Sequence, residues 1–165
     1  MDKATIAHNK KLVARYPFLA PKVYDHEASE KDGIDRYIID PEYDYSWTWL
    51  DGLPEGWVKA FGSEMCQEIW DELVRCDYLD DYTVVQTKEK FGSIRWYDGG
   101  IPKGCKVWDI IRKYEELSER TCCHCGKPAT KISKGWICPW CDDCANKIGG
   151  QFWDIDEYMS PPEGE

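Results

Sequence analysis

Six of the nine cysteines in this 165-residue chain crowd into one short stretch, as Cys122, Cys123, Cys125, Cys138, Cys141 and Cys144. Two residues between sulfurs let a tight turn aim both thiolates at one metal, and two such turns close a tetrahedron around zinc. Cys122 and Cys125 form the first pair, with Gly126 directly behind the second sulfur, where a knuckle needs a residue free to turn. Cys141 and Cys144 are the expected second pair, because Asp142 and Asp143 form the tip and Ala145 begins a helix. Cys138-Pro-Trp-Cys141 is also a legal knuckle, so whether Cys138 replaces Cys144 stays open on spacing alone. Cys123 and His124 lie inside the first turn and are not expected to reach the metal. An odd, clustered cysteine set of this kind points to a reducing compartment and metal binding rather than to a secreted disulfide framework.

One structural Zn(2+) is therefore expected, holding a segment too small to fold alone. A deaminase-type catalytic zinc would need a His-x-Glu signature. His26-Glu27 lacks the spacer, and His8 is followed by Asn9 and Lys10. No phosphate-binding glycine loop, HExxH helix or Gly-x-Ser-x-Gly elbow occurs either, so the chain does not read as an enzyme.

Aliphatic residues are sparse for a folded chain, but nine Trp and ten Tyr supply the missing core surface. Spacing predicts helices over 3–16, over 63–76 with Ser63 as cap, and over 106–118. Tyr37 to Ile39 reads as a short strand, with no long helix between Pro17 and Pro54. Tyr82 to Gln86 and Ser93 to Tyr97 read as a hairpin turning at Phe91-Gly92, with Ile94 and Trp96 inward and Arg95 and Tyr97 outward. Trp136 to Pro139 reads as the strand entering the second knuckle. The expected fold class is α+β: a small antiparallel sheet packed with helices over residues 1–118, then a zinc-ribbon-like knuckle module over 119–150 docked on it. Residues 151–165 read as an acidic tail, disordered from about residue 160.

The formal net charge is −10, unevenly spread. Residues 21–83 hold five basic and seventeen acidic side chains, whereas 84–150 hold twelve and eight. A duplex phosphate backbone is repelled by the whole, so nucleic acid is disfavoured as the main partner. A protein partner with a basic surface is expected instead, met by Asp40, Glu42 and Asp44 with Trp47 and Trp49. The alternative is a nucleic-acid-associated role using the basic half through Lys88, Lys90, Arg95, Lys127, Lys131 and Lys134. No apolar run reaches the length of a membrane span or signal-peptide core, so a cytoplasmic location is expected.

The order Trp49-Leu-Asp-Gly-Leu-Pro-Glu-Gly-Trp, Ala60-Phe-Gly, Lys88-Glu-Lys-Phe-Gly, Arg95-Trp-Tyr, Cys122-x-x-Cys125-Gly, Gly135-Trp and Cys141-Asp-Asp-Cys144 resembles a family of small, mostly uncharacterised zinc-knuckle proteins of bacteriophages and prophages. The likeness covers about residues 47–147. It implies a cytoplasmic, zinc-containing accessory protein of phage origin and transfers no catalytic residue; the expected role is a non-enzymatic, protein-binding inhibitor or modulator of a host (defence) protein. Cys138 is outside the family pattern, which implies that it is unligated.

Overall fold

The computed structural model describes residues 2–160. It is an α+β fold in which short antiparallel sheets pack against helices, with a four-cysteine, knuckle-like module towards the C-terminus. The expected disorder beyond residue 160 lies outside the described residues.

Helix α1 spans Lys3–Arg15, capped by Asp2, whose carboxylate accepts the Ala4 N–H at 3.0 Å. It stops ahead of Pro17, since the residue before a proline avoids helical geometry. Strands β1 (Lys22–Tyr24) and β2 (Tyr37–Ile39) pair antiparallel and enclose α2 (His26–Asp32). The following acids build turns: Asp40 accepts the Glu42 N–H and Asp44 the Ser46 N–H, while Thr48 and Asp51 form a capping box on the 3-10 turn Trp49–Gly52.

The next helix corrects the expected start at Ser63. Its first turn, α3 (Glu55–Trp57), begins directly after Pro54 and runs through a π-helical turn, Val58–Gly62, into α4 (Ser63–Arg75). Ser63 caps nothing, because the residues before it already have helical dihedrals. Met65, Cys66, Ile69 and Leu73 form the buried stripe of α4.

The hairpin of β3 (Val84–Lys90) and β4 (Ser93–Asp98) runs four residues beyond the expected first strand, to Lys90, and closes on Phe91-Gly92. Both turn residues have positive φ, 52° and 79°, as the two-residue turn that matches strand twist requires. Ile94 and Trp96 are buried, whereas Arg95 and Tyr97 face outward. Helix α5 (Val107–Ser118) lays Val107, Ile111, Tyr114 and Ser118 onto α4 and β4. The main core also takes in Phe18, Leu19, Trp57, Phe61 and Tyr82, and the Trp96 indole donates to the Tyr82 hydroxyl, which donates to Asp98 at 2.8 Å.

Glu72 ties α4 to α5. Its buried carboxylate accepts Arg75 Nη2 at 2.8 Å and the Lys106 backbone N–H at 2.6 Å, so it also satisfies an orphan donor at the start of α5. The Arg75 guanidinium, opposed by burial and assisted by the Lys106 N–H, holds this carboxyl at about 2 instead of 4.5. A depressed carboxyl pKa contributes stability that is complete above the unfolded value and disappears as pH falls towards the folded one. Glu72→Gln should therefore lose about 2 kcal/mol in urea unfolding at neutral pH. It should also show a flatter acid limb between pH 4.5 and 2 than the unmodified protein.

The last sheet has the order β6 (Pro139–Trp140), β5 (Lys131–Ser133), β7 (Phe152–Asp154), all antiparallel. Helix α6 (Asp142–Ile148) follows β6, and α7 (Ile155–Met159) follows β7. Two expectations change here. The segment 151–160 is no tail, because β7 pairs with β5 through Lys131–Asp154, Ile132–Trp153 and Ser133–Phe152, and Ile155 is buried. The strand ahead of the second knuckle is only Pro139–Trp140, and Trp136 stands in the turn before it.

Candidate metal centre

The first knuckle is a small hairpin: Cys122 N–H donates to the Lys127 carbonyl at 2.8 Å, Gly126 N–H to the Cys122 carbonyl at 3.0 Å, and Thr121 bridges Pro128. Gly126 sits at φ 85°, and a side chain there would press to 2.6 Å from the Gly56 carbonyl. The second knuckle starts α6. Cys141 occupies the N-cap with its sulfur accepting the Cys144 N–H at 3.4 Å, which delivers both sulfurs to the same side of the turn. Cys123 N–H bonds the Pro139 carbonyl at 2.9 Å and holds the knuckles together.

This brings the sulfurs of Cys122, Cys125, Cys141 and Cys144 within 4.8 Å of one another, with Cys125 and Cys141 3.6 Å apart. Four thiolates at about 2.3 Å from one tetrahedral ion stand roughly 3.8 Å apart, so the group has the size of a metal site. Three of the four side chains are buried. Burial pushes the Cys122 thiol up, but backbone hydrogen bonds from Cys125, Cys141 and His124 outweigh it and bring it down to about 7. Burial raises Cys141 and carries Cys144 up to about 12. A cation is what would hold all four as thiolates, and binding it would release protons, so acid should weaken the hold.

The remaining cysteines stand apart from this group. The Cys138 sulfur points to Glu89 Oε1 at 3.8 Å, and its hydrogen bond with Cys123, then burial, raises its pKa far above the usual thiol range. Cys138 is thus a protonated donor outside the four-sulfur cluster. His124 is exposed and stacks on Trp140, with ring centroids 6.2 Å apart. Burial pushes Cys66 up to about 12 in the main core, and burial followed by the neighbouring Cys105 thiol does the same to Cys76.

The module is seated on the start of the 55–75 helix. Gly56 N–H donates to the Cys123 carbonyl at 2.9 Å, and the fully buried Trp57 donates its indole N–H to the Thr121 carbonyl at 2.8 Å. A Cβ on Gly56 would fall 2.6 Å from the Cys123 carbonyl carbon. Sequence reasoning missed this contact, although the Pro54-Glu-Gly-Trp57 run and Gly126 carry its two halves.

Of the expected partner residues, Glu42 and Asp44 are exposed and Asp40 is half-buried. Trp47 and Trp49 meet edge to face at 4.8 Å, and Trp49 packs on the main core with its indole nitrogen buried, so it serves the fold. Among the basic candidates, Lys90, Lys127 and Lys134 are exposed and Lys88, Arg95 and Lys131 half-buried. Comparison with protein-family models, curated proteins and solved structures finds no match to this chain. No helix among the described residues is long and apolar enough to cross a membrane.

Proposed function

We propose that this chain is a non-enzymatic accessory protein that docks on a protein partner with a basic surface, stapled by one structural zinc. The observation that carries the reading is the outer face of β1–β2. Val23 and Ile38 are directly paired there, 38% and 43% exposed. The segment between these two strands exposes Glu27, Glu30 and Asp35, and the turns after β2 expose Glu42 and Asp44. Two nearby cations are engaged, Lys22 by the Asp80 carbonyl and Arg36 by Asp81 at 2.5 Å, which leaves the exposed acids of this region in excess over its exposed Lys31. An apolar centre with a charged rim is the anatomy of a binding surface, the rim setting association rate and the centre the lifetime. The all-sulfur donor set suits zinc, and four protein ligands fill its tetrahedron, which favours a structural ion. The resemblance to phage proteins makes a host protein, in the bacterial cytoplasm, the natural partner class.

Affinity capture from bacterial lysate tests the reading. The intact protein should retain a partner that Val23→Ser plus Ile38→Ser loses, and reversing Asp40, Glu42 and Asp44 to Lys should slow association. Reversing Lys88, Lys90 and Lys134 to Glu should leave that capture unchanged. Duplex DNA should not bind measurably at physiological salt, given the net charge of −10. Capture indifferent to the apolar and acidic substitutions would overturn the proposal. Metal analysis of reduced protein should give one zinc per chain, and metal-free, folded protein would remove the staple from the account.

A further inference from the structure

The Phe91-Gly92 turn lies against the turn before β6: the Gly92 Cα, were it to carry a Cβ, would place it 3.5 Å from the Ile137 carbonyl and 3.5 Å from Pro139. Between the two turns runs a groove of about 200 Å³ lined by Glu89, Lys90, Phe91, Gly135, Trp136 and Ile137. Its walls are the two most exposed large apolar side chains among the described residues, Phe91 at 67% and Trp136 at 77%. Neither ring is packed into the core. Position 91 takes φ 52°, a conformation in which Asn or Gly is favoured and a bulky ring is strained. Strain that holds an aromatic ring out into water points to use of that ring.

Basic side chains stand on both turns that frame the groove, Lys90 on one and Lys134 on the other. The ammonium of Lys90 lies 5.7 Å from the Phe91 ring, and that of Lys134 lies 5.1 Å from the ring of Trp153, which is itself 37% exposed. On the outer face of the same hairpin Lys88 stands 5.8 Å from the Tyr97 ring. Among the described residues none of these three lysines is within salt-bridge distance of a carboxylate, in a chain with 31 acids. Glu89 lines the groove but is occupied, its Oε1 accepting the Gly92 N–H at 3.0 Å and facing the Cys138 thiol.

We infer that the groove between Phe91 and Trp136 is a binding site for single-stranded nucleic acid, separate from the acidic face on β1–β2. Open ring faces accept unstacked bases of any sequence, and Lys90 beside Phe91, with Lys134 two residues before Trp136, supplies cations for the phosphates between them. A paired duplex offers no base faces to these rings, and the overall negative charge repels its denser phosphates. The observations favour this occupant over an acidic peptide, which would neutralise the lysines but leave the rings without partners.

The test is fluorescence anisotropy of labelled oligothymidylate and oligouridylate on the intact, zinc-loaded protein, with a hairpin duplex and polyglutamate as competitors. Both single strands should bind at about 50 mM salt and weaken towards 200 mM. The ratio of the two affinities tells DNA from RNA as the preferred form. Phe91→Asn suits the turn better than the native residue and Trp136→Ser alters a solvent-exposed side chain, so both should fold, checked by thermal unfolding. Each should weaken binding by about tenfold or more, the effect of losing a stacked base. Lys90→Glu with Lys134→Glu should also weaken it and flatten its salt dependence. Absence of binding to either strand at low salt would overturn the inference. So would equal competition by polyglutamate, stronger binding to the duplex, or affinity unchanged in Phe91→Asn/Trp136→Ser.

Discussion

Serine in place of Cys122, Cys125, Cys141 or Cys144 should release the metal and unfold the segment from Thr121 through β7. These sulfurs form a single cluster within 4.8 Å, and the strands around them are only two or three residues long. Metal binding contributes roughly 10–16 kcal/mol to modules of this kind, about the whole stability of an ordinary domain. Circular dichroism and metal content, read together on each variant, check the expectation. Cys123→Ser and Cys138→Ser should keep both metal and fold, because the Cys138 sulfur faces Glu89 instead of the cluster. Release of metal by Cys138→Ser but not by Cys144→Ser would reassign the second knuckle.

Trp57→Ala is expected to cost about 3–5 kcal/mol, the usual loss when a large buried ring is removed. Trp57 is fully buried and its indole N–H is spent on the Thr121 carbonyl, so the substitution opens a cavity and orphans an acceptor at the seam between helix and knuckle. Gly56→Ala attacks the same seam by crowding, since a methyl group has no room beside the Cys123 backbone. Urea unfolding measures the stability loss. The rate at which a chelator strips the metal gives the second readout, and both variants should be faster than the unmodified protein. Unchanged chelation rates would mean that the knuckle holds its ion without the helix beneath it.

The four clustered sulfurs were legible because ligand spacing is local chemistry, and α5 because its apolar stripe lies on one helix face throughout. The hairpin was legible from alternation and its glycine turn. What was hidden depends on contacts between distant residues. Gly56 is small because the knuckle touches it, and the helix starts eight residues before the serine that looked like its cap. β7 was hidden by its acidic surroundings, because a three-residue strand is defined by pairing with β5, and no period can show in so short a run. The acids at 40, 44 and 51 looked like a charged surface, and their carboxylates also close turns, a use that composition does not reveal.

The bond from Trp57 to Thr121 spans 64 residues, and this separation bears on how the chain becomes folded. During synthesis the helix that begins at Glu55 is finished long before its seat exists, because the seat needs Cys141 and Cys144 as well as the first knuckle. Until then a large indole and a glycine-lined helix start have no surface to rest on, and closing so wide a loop is the slow part of assembling non-local contacts. An ion held by the four sulfurs would complete the seat and cover the indole together. Metal loading and consolidation of the older core would then be one event, and the supply of the ion would set the time during which the nascent chain is open to aggregation and proteolysis.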